Sequence, residues 1–364
     1  MFLEHVMRQC VDLNQSLRVL DLCAAPGGKS TLLQSVLSNE SLLVCNEVIQ
    51  SRVSILRENM IKWGGMNAVV THNDPADFTD MEGFFDVMVV DAPCSGSGLF
   101  RRDPEAMNEW SMSNVKLCAE RQQRILADVW DALKEDGILI YSTCSYSSAE
   151  NESILDWMTD HFQIQSLRVE LSSDWGIEEV ITTNGAYGYR FWPHRIKGEG
   201  FFLTVLRKKS PAKESPVRIK KYMPVSAKDK KSAEAFVRSD QSVEWVMQGK
   251  FMAAVFPFHY DAIHYLMERL RVRYAGVECG IVMHDRFVPE QPLSVSTFVF
   301  PRQEMFSLNK EQALAYLRKN DFYPDGMPSG IQWVGYQELG LGWVKCLGNR
   351  INNYYPKEWR IKMG

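Results

Sequence analysis

Arg18-Val-Leu-Asp-Leu-Cys-Ala-Ala-Pro-Gly-Gly-Lys-Ser30 runs from a short apolar stretch through a turn of small residues into a helical pattern. Arg18–Cys23 reads as a strand and Lys29–Leu37 as a helix. Ala24, Ala25, Gly27 and Gly28 let backbone approach a ligand closely, and the helix start offers unpaired N–H donors. The stretch is not a P-loop: a Walker pattern ending at Gly28-Lys29-Ser30 needs Gly at position 23, where Cys23 stands. Nor does it carry the G-x-G-x-x-G dinucleotide fingerprint. Working outward, strands are predicted at Leu42–Cys45, Ala68–Thr71, Phe85–Asp91, Gly137–Ser142 and Gly200–Leu206. Helices are predicted at Gln50–Trp63, Asn114–Leu133 and Glu150–His161. Strands alternating with helices imply an α/β fold with a mostly parallel, doubly wound sheet. Ligands of such sheets sit at the carboxyl ends of the strands.

Composition narrows the class. The chain has 364 residues, 45% hydrophobic and 24% charged, enough apolar material for a sizeable core and against a disordered chain. No run of eighteen apolar residues predicts a membrane span, and Met1–Cys10 lacks a signal pattern. Eight scattered cysteines without a CxxC pair read as reduced thiols of a cytoplasmic protein, with no metal site expected. Charge is unevenly spread. Residues 1–200 carry 16 Lys and Arg against 29 Asp and Glu, whereas residues 201–364 carry 25 against 16, which suggests a polyanionic partner for the second half. Ten Lys and Arg fall within 207–231, beside three prolines and two acids, Glu214 and Asp229. The expected organisation is a catalytic domain at 1–208, a basic linker at 209–235, an intermediate α+β region at 236–306 and a terminal domain at 307–364. Nothing in the sequence requires more than a monomer.

Three acids and two cysteines carry the candidate chemistry. Glu47 closes the second strand, where a carboxylate can take both hydroxyls of a ribose. Asp74 follows the third strand and could accept from an adenine amino group; alone it reads as a turn residue before Pro75. A small-residue loop followed by these two acids fits an S-adenosylmethionine pocket. Asp91-Ala-Pro-Cys-Ser-Gly-Ser-Gly98 ends the fourth strand and Ser142-Thr-Cys-Ser145 the fifth. Adjacent strand ends would point Cys94 and Cys144 into one crevice. A cysteine taken singly is usually inert packing, and Cys10, Cys118, Cys279 and Cys346 keep that reading.

These segments, with the later Ser-Tyr-Ser-Ser-Ala-Glu150-Asn-Glu152 and Gly198-Glu-Gly-Phe-Phe202, closely resemble the Nol/Nop/Sun family of RNA 5-methylcytosine methyltransferases. Arg271–Gly276 and Gly348–Pro356 are similar to its RsmF-like bacterial members, which modify small-subunit ribosomal RNA. The resemblance implies a Rossmann-like class I methyltransferase domain followed by a PUA-like RNA-binding β-barrel. It implies S-adenosylmethionine as cofactor and small-subunit rRNA, or the assembled subunit, as partner. Residue by residue, Cys144 matches the nucleophile and Cys94 the cysteine that assists release. Cys23, Ala24, Ala25, Pro26, Gly27, Gly28 and Lys29 match the cofactor loop. Glu47, Arg52, Asp74 and Asp91 match further cofactor contacts. Met1-Phe-Leu-Glu-His5 resembles the middle of the helix preceding the first strand in the family, so an upstream RNA-binding region is also expected.

The chemistry explains two thiols. Carbon 5 of cytosine is a poor nucleophile until a thiolate adds to carbon 6, which is covalent catalysis. Asp91 could hydrogen-bond the cytosine amino group or ring nitrogen and favour electron flow into the ring. The carbon 5 proton must then leave, and Cys94 could take it directly or through water. The opposite assignment, with Cys94 as nucleophile, follows the DNA enzymes; the Thr-Cys-Ser setting of Cys144 favours the RNA arrangement. The target base must be unpaired or flipped. Linker cations could hold phosphates, and Trp245, Trp333, Tyr336, Trp343, Tyr354 and Tyr355 offer stacking faces, most of them expected in the core. Alternative readings are a tRNA methyltransferase and a non-catalytic RNA-binding or assembly factor.

Overall fold

The expected alternation is realised in the computed structural model, which describes residues 1–213, 224–284, 286–348 and 350–362. Helix α1 (Phe2–Cys10) is followed by β1 (Arg18–Asp21), α2 (Gly28–Val36), β2 (Leu42–Asn46), α3 (Gln50–Trp63) and β3 (Ala68–Thr71). Next come β4 (Phe85–Asp91), α4 (Ala106–Glu109), α5 (Met112–Val129), β5 (Leu133–Thr143) and α6 (Glu152–His161). Four further strands follow: β6 (Ile164–Ser166), β7 (Glu178–Ile181), β8 (Tyr187–Phe191) and β9 (Phe201–Lys208). The chain divides into two units. The first comprises Met1–Val53, Thr71–Val217 and Arg269–Arg271; the second comprises Ser54–Val70, Arg218–Glu268 and Val272–Gly364.

In the first unit the strands lie in the order β2-β1-β4-β5-β9-β8-β7, with β6 also on β9. β2, β1, β4 and β5 are parallel neighbours. Their central residues are buried: all five of β2, and Val87–Val90 of β4. Continuous apolar burial is what a parallel sheet covered on both faces requires. The chain runs outward from β1 to β2, then returns to place β4 on the other side of β1. That reversal is the switch point at which open α/β sheets bind ligands. Both Gly-rich and Cys-bearing turns leave from it. Beyond β5 the sheet becomes antiparallel through β9, β8 and β7, and β7–β8 and β8–β9 are joined without a helical crossover. The sequence reading found β9 and, through the resemblance, a helix before β1, but not β6, β7 or β8.

The second unit contains α7 (Ala227–Phe236), β10 (Val237–Ser239), β11 (Glu244–Gln248), β12 (Phe251–Val255), α8 (Tyr260–Arg269), β13 (Val272–Ala275) and β14 (Val277–Met283). It continues with β15 (Arg286–Pro289), α9 (Gln291–Val295), β16 (Val299–Pro301) and β17 (Phe306–Ser307). Helix α10 (Lys310–Arg318), β18 (Gly330–Tyr336), β19 (Leu339–Cys346) and β20 (Ile351–Asn353) end it. Strands β11, β12, β14 and β15 form one four-stranded sheet and β17–β20 another. Trp343 of β19 packs into the same core as Trp245, Phe256 and Val277, whereas Val334 and Val344 pack with Leu308 and Tyr316, and the expected division at 306/307 falls inside β17.

The expected basic linker differs from the structure at its carboxyl end, and one cation counted with it lies inside the preceding domain. Lys208 belongs to β9 and is buried; its ammonium donates to the carbonyls of Trp130 and Leu133, at 2.9 and 2.8 Å. Burial lowers its pKa below the ordinary lysine value. Residues 227–235 lie in α7, started by Ser226, whose hydroxyl accepts the Asp229 N–H, and anchored by buried Ala233. A single buried alanine is too weak a pattern to show in a lysine-rich stretch. Arg218, Lys220 and Lys221 lie outside the described residues. Among the aromatic candidates Trp245, Trp343 and Tyr355 are buried, Trp333 and Tyr336 are partly buried, and Tyr354 is 45% exposed.

Candidate functional site

The turn after β1 is built to bring backbone close to a ligand. Gly27 has φ +113°, a region that suits glycine, and precedes the first residue of α2. Ala24 N–H donates to Asn46 O at 2.8 Å, which ties the turn to the end of β2. Arg52 Nη2 donates to Ala25 O at 2.6 Å, and Arg52 Nη1 lies 3.2 Å from Glu47 Oε2. Arg52 therefore braces the loop and neutralises Glu47. Pro26 and Gly28 are exposed at the turn, while Ala24, Ala25 and Gly27 are buried.

Asp21 at the end of β1 was not a sequence candidate, although it lies within the quoted stretch. It is fully buried; Oδ2 accepts from Ser30 Oγ at 2.6 Å and Oδ1 has no partner. Burial, only partly offset by Ser30 and Lys29, pushes its carboxyl up to about 7. Between pH 4 and 7 the folded chain holds a proton that the unfolded chain has released. Stability should therefore fall as pH rises through that window, at a total cost on the order of 4 kcal/mol. Urea melts of the cofactor-free protein at pH 5 and 7.5 should show this fall, and Asp21→Asn should flatten it. An equal slope in both proteins would remove Asp21 as its source.

The charges gather at the start of the loop. The Cys23 thiol is pushed up by burial first and then by Asp21, Glu47 and Asp91, which shows these three carboxylates acting on one spot. Lys29 Nζ donates to Asp91 Oδ2 at 2.7 Å, and Ser142 Oγ donates to Asp91 Oδ1 at 2.7 Å. Asp91 thus joins the loop after β1 to the end of β5. Asp74 stands apart: it caps a 3-10 turn at Pro75–Phe78, accepting Ala76 N–H, and its oxygens face Arg124 at 3.1 and 3.5 Å. Its turn role is therefore visible, beside any contact with a ligand.

Cys94 and Cys144 meet. Asp91 and Ser142 are register partners on parallel β4 and β5, so the two turns leave side by side. The Sγ atoms are 3.0 Å apart. Gly98 N–H donates to Cys144 O at 2.7 Å, and a Cβ on Gly98 would fall 2.4 Å from that oxygen, so only glycine permits the approach. Gln122 Nε2 of α5 donates to Pro93 O at 3.0 Å and steadies the other turn. The thiol–thiol bond pulls Cys144 below the ordinary cysteine value, against burial and Asp91, with Lys29 helping. The same bond, with burial, pushes Cys94 far up. Either sulfur can donate in this contact, and the lowered value at Cys144 favours Cys94 as the donor with Cys144 accepting. Glu150, read from sequence as the first residue of a helix, lies instead in a 3-10 turn, of which it is the buried residue, and α6 starts at Glu152. Its carboxylate accepts from Ser95 and Ser145. No pattern of hydropathy marks an acid that packs inward.

The donor set fits S-adenosylmethionine. Asp21 Oδ1 is a buried acceptor without a partner, and Glu47 Oε2 has only the Arg52 guanidinium, outside hydrogen-bond geometry. Acceptors of this kind suit a ligand that brings hydroxyls, an ammonium and a positive charge. Among the described residues no group of three or more His, Cys, Asp or Glu is arranged to hold a metal ion, and no helix is long and apolar enough to cross a membrane.

Comparison with known proteins agrees with the resemblance read from the sequence. The family model "16S rRNA methyltransferase RsmB/F" matches residues 9–207, and "Methyltransferase RsmF PUA domain" matches residues 303–361. The chain is 31% identical over 360 residues to the ribosomal RNA small subunit methyltransferase F of Shewanella loihica, covering 94% of this chain and 72% of that protein. It is 30% identical to the protein of the same name from Escherichia coli O157:H7, covering 95% and 74%. A solved structure of NSun6 from Pyrococcus horikoshii with SFG is similar at 24% identity and TM-score 0.49, over 57% of this chain and 52% of that one.

Proposed function

Since the chain belongs to the RsmB/F family of 16S rRNA methyltransferases, we propose that it methylates carbon 5 of a cytosine in small-subunit rRNA, with Cys144 as the nucleophile. The family uses S-adenosylmethionine, which when bound supplies an electrophilic methyl group on its sulfonium. The observation that carries the reading is the 3.0 Å contact between Cys94 and Cys144 at the ends of adjacent parallel strands. An inert packing role would not need two thiols joined in this way, one of them driven toward thiolate.

Asp21, Glu47 and the loop Cys23–Lys29 hold the cofactor, Arg52 keeps the loop in place, and Asp74 closes the site beyond β3. Cys144 Sγ adds to carbon 6 of the flipped cytosine, and the carbon 5–carbon 6 π electrons move into the ring. Asp91, paired with Lys29, accepts a hydrogen bond from the cytosine 4-amino group and orients the ring. Once Cys144 sulfur is bonded to carbon it no longer accepts from Cys94. The bond that kept Cys94 protonated is gone, and Cys94 can release its proton to solvent and serve as base. Once carbon 5 carries the transferred methyl group, the Cys94 thiolate takes the carbon 5 proton, the carbon 5–carbon 6 double bond re-forms, and Cys144 leaves as thiolate.

The reading is tested by transfer of labelled methyl from S-adenosylmethionine to naked small-subunit rRNA, assembled small subunits and tRNA, followed by nucleoside analysis. Label in 5-methylcytidine from small-subunit rRNA, free or assembled, is the expected result. Label confined to tRNA, or in another nucleoside, would overturn the substrate or the position.

A further inference from the structure

The Glu150 carboxylate is fully buried and touches both cysteine turns. Its Oε1 accepts the Ser95 backbone N–H at 2.7 Å, and its Oε2 accepts Ser95 Oγ at 2.6 Å and Ser145 Oγ at 2.5 Å. Ser95 follows Cys94 in the chain and Ser145 follows Cys144. One charged group therefore ties together the neighbours of both thiols. Bonds to an ionised acceptor are short and roughly twice as strong as neutral ones. Here they also replace the water that a buried carboxylate has lost, so letting go of either serine is costly. The segment that carries Glu150 is itself fixed to the same strand end. Tyr141 Oη donates to Glu150 O at 2.7 Å, Thr143 Oγ1 donates to Asn151 Oδ1 at 2.6 Å, and Asn151 Nδ2 donates to Ser145 O at 2.8 Å.

We propose that Glu150 is a positioning residue that sets the separation of Cys94 and Cys144 by bracing Ser95 and Ser145 against one carboxylate; this rests on the two-thiol reading above. Glu150 makes no contact with the reacting atoms. Its action on the reaction passes through the two turns. The bonding pattern makes a sharp distinction between two substitutions. In Glu150→Gln the amide oxygen still accepts from Ser95 N–H, and the amide NH2 donates to the serine hydroxyls, which rotate to accept. In Glu150→Ala all three bonds are lost.

The first readout needs no RNA. Diamide, a diazene, takes the two thiol hydrogens and becomes the hydrazine as the Cys94–Cys144 disulfide forms. The rate is scored by loss of iodoacetamide labelling at both cysteines. Glu150→Ala should slow this pairing at least about tenfold, because the thiols no longer start in contact, while Glu150→Gln stays within about threefold of wild type. The second readout is methyl transfer at saturating substrates. Glu150→Ala should lower kcat about 100-fold, the cost of a misplacement near 1 Å, with S-adenosylmethionine affinity within about twofold. Glu150→Gln should recover kcat to within about tenfold of wild type. If Glu150→Ala loses its cooperative melt, Ser95→Ala and Ser145→Ala replace it, each expected to slow pairing severalfold. Wild-type pairing and kcat in Glu150→Ala, or in both serine variants, would overturn the proposal. So would a Glu150→Gln protein as impaired as Glu150→Ala. Should wild type fail to methylate cytosine, the pairing rates would still decide the role of Glu150, so the two readings fail separately.

Discussion

Replacing Cys144 by alanine should reduce methyl transfer on the order of 10⁴-fold or more, the scale on which loss of a covalent nucleophile is felt. S-adenosylmethionine affinity should stay within about twofold of wild type. The separation follows from the geometry. The acceptors that suit the cofactor, Asp21 Oδ1 and Glu47 Oε2, belong to the ends of β1 and β2, whereas Cys144 lies beyond β5. A hydrogen-bonded link between them runs from Lys29 through Asp91 to Ser142, and it does not use the Cys144 side chain. Equilibrium binding by calorimetry and single-turnover transfer of labelled methyl would measure the two quantities apart. Turnover retained within about tenfold would remove Cys144 as the nucleophile. Lost binding with lost turnover would show that the substitution damaged the fold.

Replacing Cys94 by alanine should have a different signature. Addition at carbon 6 needs only Cys144, so the covalent protein–RNA species should still form. Its breakdown needs a base for the carbon 5 proton, and loss of a positioned base typically costs about 10²- to 10⁴-fold. The adduct should therefore accumulate with S-adenosylmethionine present and appear as a slow band on denaturing gels. Removing Cys94 also removes the hydrogen bond that is the main influence lowering the Cys144 pKa. The rate of adduct formation should consequently rise more steeply with pH than in wild type, as Cys144 returns toward an ordinary thiol. Normal turnover without an adduct would take Cys94 out of the reaction.

Much of the site was legible because its residues sit at strand ends. Gln50–Trp63, Ala68–Thr71 and Phe85–Asp91 were bounded as the structure has them, since strong apolar runs and clear breakers frame each. Parallel pairing then forced Cys94 and Cys144 together, as the register Asp91 to Ser142 does. What stayed hidden has a common cause. Strands β7 and β8 are short and half-polar, so they resemble loops until a neighbour completes them. Asp21 and Glu150 are acids that face inward, against the rule by which polar residues are read as exposed. Lys208 was counted among the linker cations, although two backbone carbonyls hold it inside. For Glu150 and Lys208 the deciding partner lies far along the chain: Ser95 is 55 residues from Glu150, and Trp130 is 78 from Lys208.

The central claim is a bond between Cys144 sulfur and a cytosine in small-subunit rRNA. Small-subunit rRNA made with 5-fluorocytidine blocks release, because fluorine occupies the place of the proton that must leave. Incubating wild-type protein with this RNA and S-adenosylmethionine, then denaturing, digesting and sequencing the cross-linked peptide by mass spectrometry, identifies the attached residue. A nucleotide on Cys144 is the expected result. A nucleotide on Cys94, or full methylation of unmodified RNA with no cross-link on the fluorinated RNA, would contradict it.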